Sequence, residues 1–300
     1  GGLTKLRDKR VAVIGTGASA NLGLSYSIFL VDGCIAPAFP SNTARSGVLY
    51  PLVVSLAEAA GAKPGDPSRK RLGAFLMFSG IASLSLSSAL WLTAMAANPL
   101  GAEIAKPFGV TIGFGSWLVA ASVPTLAAML LLPYVLYKVM RPEVTATPEA
   151  PAAAKKALAG LGRLTRDEKI VTGTFVGMVA LWAAAATLGL DSTAIAFAGL
   201  AVLLVTGVLN ASDIAKEGDV LAIYLWFAIL FTLSGQLNEL GFMEFIGEKL
   251  AGAMAGLPWP AAGLVLVLAY VALHYLFVSQ TAHLLALFGV FLGVGVKLGV

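Results

Sequence analysis

Two short polar stretches combine residue types that can bind an anion at the start of a helix. The first reads Ser41-Asn42-Thr43-Ala44-Arg45 and the second Ser279-Gln280-Thr281-Ala282-His283, each in apolar surroundings. A Ser at such a break can cap the following helix, and the free backbone N–H groups favour an anion. Because two such similar stretches lie 238 positions apart (279 minus 41), we infer an internal repeat. Matching polar breaks in inverted repeats are typical of a ligand site at the membrane midplane.

The basic residue that ends each stretch favours a ligand with two negative charges. An Arg at bilayer depth costs at least a few kcal/mol and normally has an anionic partner. For Arg45 the sequence leaves three possibilities: a pair with Asp32, snorkelling to the interface, or contact with a bound carboxylate. His283 either contacts a second carboxylate or makes a structural hydrogen bond. His274 stands alone in an apolar run, and we interpret it as structural.

A third group of polar residues lies in the apolar run 72–97, and its hydroxyls predict an unwound or cavity-facing helix. Its members are Ser79, Ser83, Ser85, Ser87, Ser88 and Thr93, with Asn98 just beyond. The alternative is that each serine donates back to a carbonyl of its own helix. The candidate ligand contacts here are Ser87, Ser88, Thr93 and Asn98.

The composition indicates that these elements lie in a lipid bilayer. Of the 300 residues, 58% are apolar and 12% charged, and the mean hydropathy is +0.86, whereas soluble domains carry about 25% charged residues. Apolar runs of membrane-spanning character occupy 72–97, 116–137, 170–189, 194–210, 220–236 and 259–278. The net charge of +4 is spread over loops, so nucleic acid is not an expected partner. Cys34 is the single cysteine, which excludes an internal disulfide.

The basic residues predict the orientation of the chain, because cytoplasmic loops collect Lys and Arg. Four lie in 1–10, four in 62–71 and seven in 138–169, while the loop after run 72–97 holds only Lys106. All these loops agree with one orientation if residues 17–60 dip into the membrane and return. A re-entrant hairpin is therefore predicted there.

These patterns divide the chain into seven segments of an all-α polytopic membrane protein. In the first half we predict an interfacial basic segment at 1–16, a hairpin at 17–60 and two transmembrane helices, one of them broken, at 61–137. A cytoplasmic linker at 138–169 follows. In the second half we predict three transmembrane helices at 170–238, an interfacial amphipathic helix at 239–256 and a second hairpin at 257–300. Because the chain begins at Gly1 and ends inside an apolar run, we expect it to be truncated at both ends.

From about residue 17 to its end the chain resembles the divalent anion/sodium symporter family. In that family, serine-asparagine-threonine motifs at the tips of two opposed hairpins contact the substrate carboxylates. Ser41, Asn42 and Thr43 match the first motif; Ser279 and Thr281 match the second, in which Gln280 departs from asparagine. The sequences following the motifs look most like the 2-oxoglutarate/malate translocator and citrate/succinate antiporter branch.

The resemblance implies an inverted-repeat, elevator-type transporter that forms a homodimer and exchanges dicarboxylates or tricarboxylates, including 2-oxoglutarate, malate, succinate and citrate. It also implies that run 79–99 completes the first site. We expect a multi-pass protein of the cell (inner) membrane, with the lipid bilayer around it, no cofactor and no enzymatic activity. A channel is the remaining alternative, which a counterflow assay separates from a carrier.

The departures from the family pattern bear on coupling. Sodium-coupled members hold cations beside the substrate, and in a symporter of this fold sodium would lie near Ser41, Asn42 and Ser279. Here Arg45 and His283 can supply fixed positive charge instead. We therefore expect sodium-independent antiport, with a sodium-coupled symporter of dicarboxylates or other divalent anions as the alternative.

Overall fold

The computed structural model describes residues 21–39, 41–59, 61–63, 65–144, 164–216, 218–254, 256–277 and 279–299. The predicted basic segment 1–16 and most of the predicted linker 138–169 lie outside these ranges. Over the described residues the chain is helical and contains no strand. The helices are α1 (Asn21–Ile35), α2 (Asn42–Ala59), α3 (Gly73–Leu90), α4 (Ala97–Ala105), α5 (Phe114–Met140), α6 (Arg166–Leu188), α7 (Ser192–Val205), α8 (Ala211–Lys216), α9 (Gly218–Glu239), α10 (Phe242–Ala253), α11 (Trp259–His274) and α12 (Gln280–Leu298).

Four stretches of the described helices are long and apolar enough to cross a membrane. They are Gly73–Leu90, Phe114–Met140, Arg166–Ala185 and Gln280–Leu298. Two predicted runs, 194–210 and 259–278, form the shorter apolar helices α7 and α11, of 14 and 16 residues. The chain is thus a polytopic all-α membrane protein.

The predicted run 72–97 is interrupted. Helix α3 ends at Leu90, and Trp91 and Met95 take extended backbone conformations on either side of a single 3₁₀ turn, Leu92–Ala94. The indole of Trp91 donates to the carbonyl of Gly33 at 2.8 Å, so side-chain bonding ties the break to the end of α1.

The chain packs as two compact units, the first of which comprises the described parts of 1–95 and 113–208. In this unit α1 runs parallel to α3: Ser25 donates to Ser79 near their beginnings, and Ser87 donates to Asp32 near their ends. Helix α2 runs antiparallel to α3, because its first turn lies near Ser88 and its last near Gly73. Helices α1 and α2 therefore form a hairpin along α3.

Two of the basic segments meet at one end of this unit. The amide of Glu143 donates to Lys70 at 3.4 Å, and that of Val144 donates to Arg71 at 3.0 Å. The residues that follow α5 thus lie beside those that precede α3, on one face. This agrees with the orientation predicted from the basic residues.

The second unit comprises the described parts of 96–112 and 209–300. Helices α11 and α12 form an antiparallel hairpin, since His274 packs on His283 and Tyr270, one turn earlier in α11, packs on Phe291, further along α12. Helix α10 covers α12 with the apolar face predicted for an amphipathic helix, which includes Ile246 and Leu250. Helix α4 also packs along α12.

Candidate functional site

The first polar stretch forms the start of α2. The hydroxyl of Ser41 accepts from the amide of Ala44 at 3.3 Å, and its carbonyl accepts from the amide of Arg45 at 3.0 Å. Ser41 and Thr43 are exposed and Asn42 is half-buried. A helix start capped in this way presents backbone N–H groups and the positive end of the helix dipole to an anion. We call residues 41–45 the first tip.

The second polar stretch has the same local geometry at the start of α12. The hydroxyl of Ser279 accepts from the amide of Ala282 at 3.3 Å, and its carbonyl accepts from the amide of His283 at 3.0 Å. Ser279 and Gln280 are exposed, whereas Thr281 and His283 are buried. The similarity between the two stretches therefore extends from sequence to helix capping. We call residues 279–283 the second tip.

Arg45 is fully buried beneath the first tip, and its guanidinium is enclosed by oxygen atoms. Among the described residues, five oxygens lie within 3.4 Å of its two terminal nitrogens. They belong to the carbonyls of Leu84 (2.8 Å) and Ala94 (3.4 Å), the hydroxyls of Ser87 (2.9 Å) and Ser88 (2.6 Å), and the side-chain carbonyl of Asn42 (3.2 Å). Ser87 and Ser88, expected as ligand contacts, instead contact Arg45.

Asp32 supplies the counter-charge to Arg45. Its Oδ1 lies 2.9 Å from the Nε of Arg45, and both side chains have zero exposure. Neither atom has a hydrogen-bond partner among the described residues, so this contact is a charge pair rather than an aligned hydrogen bond. The other carboxylate oxygen accepts from Ser83 at 2.8 Å and Ser87 at 2.6 Å. Of the three possibilities for Arg45, the structure shows the pair with Asp32.

This network fixes the side-chain amide of Asn42. Its Oδ1 accepts from Arg45, and the hydroxyl of Ser88 donates to the same atom. A flipped amide would turn its NH₂ group towards a guanidinium that can only donate, so this orientation is chemically enforced. The oxygen of Asn42 is therefore occupied by these two donors, and the group that it has left to donate is its amide NH₂.

The remaining candidates of run 72–98 fall in different places. Thr93 donates to the carbonyl of Pro37 at 3.1 Å and so supports the loop between α1 and α2. Asn98 lies on α4, which runs parallel to α12: a Cβ built on Gly101 would lie 3.2 Å from Leu284, and one built on Gly289 3.5 Å from Ile104. Asn98 is one turn before Gly101, which places it on the part of α4 level with the second tip. Ser79 and Ser85 donate back into their own helix, as the alternative reading expects.

His283 is packed among aromatic rings in the second unit. Its ring centroid lies 4.2 Å from that of Tyr270, 5.0 Å from that of His274 and 5.1 Å from that of Phe277. Its Nε2 is buried and has no hydrogen-bond partner among the described residues. A buried polar atom without a partner costs free energy that a ligand can recover.

Sequence reasoning named Asp32 only as a possible partner of Arg45 and did not include Ser83 in the site. The signal for Asp32 was present, because it is the only acidic residue between positions 17 and 45. Ser83 carried no distinguishing signal among the hydroxyls of α3. Among the described residues, no group of three or more His, Cys, Asp or Glu side chains is arranged to hold a metal ion.

Comparison with known proteins gives a family and several relatives. The family model described as "Sodium:sulfate symporter transmembrane region" matches residues 4–300. The chain is 42% identical to dicarboxylate transporter 2.1, chloroplastic, of Arabidopsis thaliana over 286 residues, which cover 94% of this chain and 51% of the relative. It is 40% identical to dicarboxylate transporter 1, chloroplastic, of Spinacia oleracea (94% and 50%), and 30% identical to the L-tartrate/succinate antiporter of Escherichia coli (strain K12) (89% and 55%). The chain thus spans about half the length of these relatives.

Proposed function

The chain belongs to the sodium:sulfate symporter family, and on that premise we propose that its protein is a secondary transporter that exchanges di- and tricarboxylates across a membrane. Relatives named as dicarboxylate transporters and as an L-tartrate/succinate antiporter support this substrate class. The two capped helix starts support it independently, because each offers an anion backbone N–H donors beside a polar side chain.

In this proposal each tip, taken by itself, can bind a carboxylate. Ser41, Asn42 and Thr43 donate at the first, and Ser279, Gln280, Thr281 and His283 at the second. Arg45, Ser87, Ser88 and Thr93 act behind the first tip, and Asn98 acts beside the second.

We further propose that transport does not require sodium, and the observation that carries this is the group of oxygens around Arg45. Carbonyl, hydroxyl and amide oxygens in such a cluster are the ligands that hard cations take. Here the cluster surrounds a covalently attached cation, which donates to it, and this supports transport without a sodium ion at these oxygens.

The pair with Asp32 changes one expectation about coupling. A buried Arg45 without a protein partner would be an unpaired charge in the empty carrier, which would make movement without substrate unfavourable. Because Asp32 neutralises Arg45 without any ligand, the first tip does not impose this cost. Obligatory exchange then depends on the second tip, where Nε2 of His283 is without a partner among the described residues.

The finer architecture belongs to the same proposal. The antiparallel hairpins α1–α2 and α11–α12, each with a Ser-capped tip, support re-entrant hairpins in an inverted repeat. The homodimer and the elevator movement rest on the family resemblance. For a bacterial source we propose the cell (inner) membrane, while the chloroplastic relatives indicate that members also occupy other membranes.

Counterflow in liposomes tests the proposal with the full-length protein. Vesicles are loaded with malate or left empty, labelled malate is supplied outside, and sodium is replaced by choline. Uptake into loaded vesicles alone supports the exchanger. The family description favours a sodium-coupled symporter as the second candidate, and uptake into empty vesicles that requires an inward sodium gradient would establish it instead.

A further inference from the structure

Asp32 is a buried carboxylate for which the proposed transport reaction has no direct use. One oxygen lies 2.9 Å from the guanidinium of Arg45, and the other accepts from the hydroxyls of Ser83 and Ser87. A guanidinium is always charged and can only donate, so its closeness favours the ionised carboxylate, as do the two hydroxyl donors. The geometry therefore fits the ionised form, which cancels the charge of Arg45.

This cancellation decides the net charge of the first tip. In α1, α2, α3 and the break 91–95, the charged residues are Asp32, Arg45 and Glu58. Glu58 lies at the far end of α2, near the start of α3. Over these described elements the charges next to the tip sum to zero, and the donors that they offer a ligand there are neutral.

We propose that Asp32 is a positioning residue that sets the valence of the carried anion by neutralising Arg45, so that dicarboxylates are favoured over tricarboxylates. This inference rests on the proposed function. A charge left uncompensated at Arg45 or Asp32 interacts with every charge of the ligand. An uncompensated Arg45 therefore strengthens the binding of a trianion more than that of a dianion, and an uncompensated Asp32 weakens the binding of a trianion more. For unit charges about 10 Å apart at an effective dielectric constant of about 20, the one extra charge of a trianion changes its affinity relative to a dianion on the order of tenfold.

The test compares malate with citrate as ligands of the full-length protein at about pH 8, where both are fully ionised. Dissociation constants are measured for the wild type, Asp32→Asn, Arg45→Gln and the double variant. The measured quantity is the ratio of citrate affinity to malate affinity. We expect Asp32→Asn to raise this ratio on the order of tenfold and Arg45→Gln to lower the ratio by a similar factor. The double variant, which is neutral and leaves no unpaired charge, should return to within about twofold of the wild-type ratio.

A purely structural pair would lower both affinities together and leave their ratio unchanged, which would overturn the inference. A lower ratio in the double variant would overturn it too, because Arg45 would then contact the extra carboxylate directly. If one single variant does not fold, the other still decides the test, because each alone should shift the ratio in its own direction. Failure of the wild type to bind either acid would refute the proposed function rather than the role of Asp32.

Discussion

The Nε of Arg45 lies 2.9 Å from Oδ1 of Asp32, and neither side chain is exposed to solvent. The pair links two elements that the chain separates by a turn, because Asp32 lies near the end of α1 and Arg45 in the first turn of α2. Since Arg45 also bonds to Ser87 and Ser88 at the end of α3, one guanidinium fixes the first tip to the helix that supports it.

The first prediction concerns the stability of this pair. Arg45→Gln leaves a buried carboxylate without its counter-charge, and removing one partner of a buried pair costs about 3–5 kcal/mol of unfolding free energy. Asp32→Asn should cost a similar amount, whereas the double variant should lose less than the sum of the two. Denaturant unfolding in detergent measures all three, and simple additivity of the two losses would contradict a direct interaction.

The second prediction separates geometry from charge at Arg45. Arg45→Lys retains a cation, but an ammonium is a point charge and cannot replace a planar guanidinium that contacts Asp32 on one side and Asn42 on the other. We expect only partial recovery of dicarboxylate affinity relative to Arg45→Gln, as measured by binding of labelled malate. Full recovery of malate affinity in Arg45→Lys would show that a positive charge at this position suffices without the planar set of guanidinium N–H donors.

The third prediction concerns the orientation of Asn42. In Asn42→Asp an oxygen can still accept from Arg45, but the NH₂ group that is left to donate is replaced by a second, negatively charged acceptor. We expect the affinity for malate to fall about 100-fold, the size of a lost hydrogen bond to a charged group.

A matched control lies further along the same helix. Ser55 donates back to Leu52 within α2, so Ser55→Ala should leave malate affinity unchanged. A loss of affinity in Ser55→Ala equal to that in Asn42→Asp would attribute the effect to α2 as a whole and not to the amide.

The fourth prediction tests the predicted orientation by labelling in a Cys34→Ala background, since Cys34 is exposed. Cysteines that replace Lys63 and Glu143 should react with an impermeant reagent from the cytoplasm, because backbone bonds place residues 70–71 beside residues 143–144. A cysteine that replaces Gly113, at the other end of the 27-residue helix α5, should react from the opposite face. Labelling of positions 63 and 143 from opposite faces would refute the orientation.

The sequence predicted the local features of the site better than its packing. The Ser caps at positions 41 and 279 were predictable because capping depends on residues within one turn. The partner of Arg45 stayed open, since pairing with Asp32 depends on how α1 and α2 meet on α3. No periodicity could indicate that α4, which carries Asn98, packs along α12. The break in run 72–97 was expected from its hydroxyls, yet it begins at Trp91, beyond the serines.

The last prediction concerns His283, whose Nε2 is buried and has no hydrogen-bond partner among the described residues. If Nε2 carries a hydrogen and donates it to a substrate carboxylate, His283→Leu should lower malate affinity on the order of tenfold, because that hydrogen bond to an anion is lost. His283→Asn should lose less, since an amide still offers a donor. His274 provides the matched control: its ring packs 5.0 Å from that of His283, so His274→Asn disturbs the same aromatic cluster. We expect His274→Asn to change affinity by less than about twofold. Binding of labelled malate, with unfolding temperatures measured alongside, distinguishes the outcomes. Equal losses in the His283 and His274 variants would indicate that the cluster only packs the hairpin, and a carboxylate at the second tip would then bind without His283.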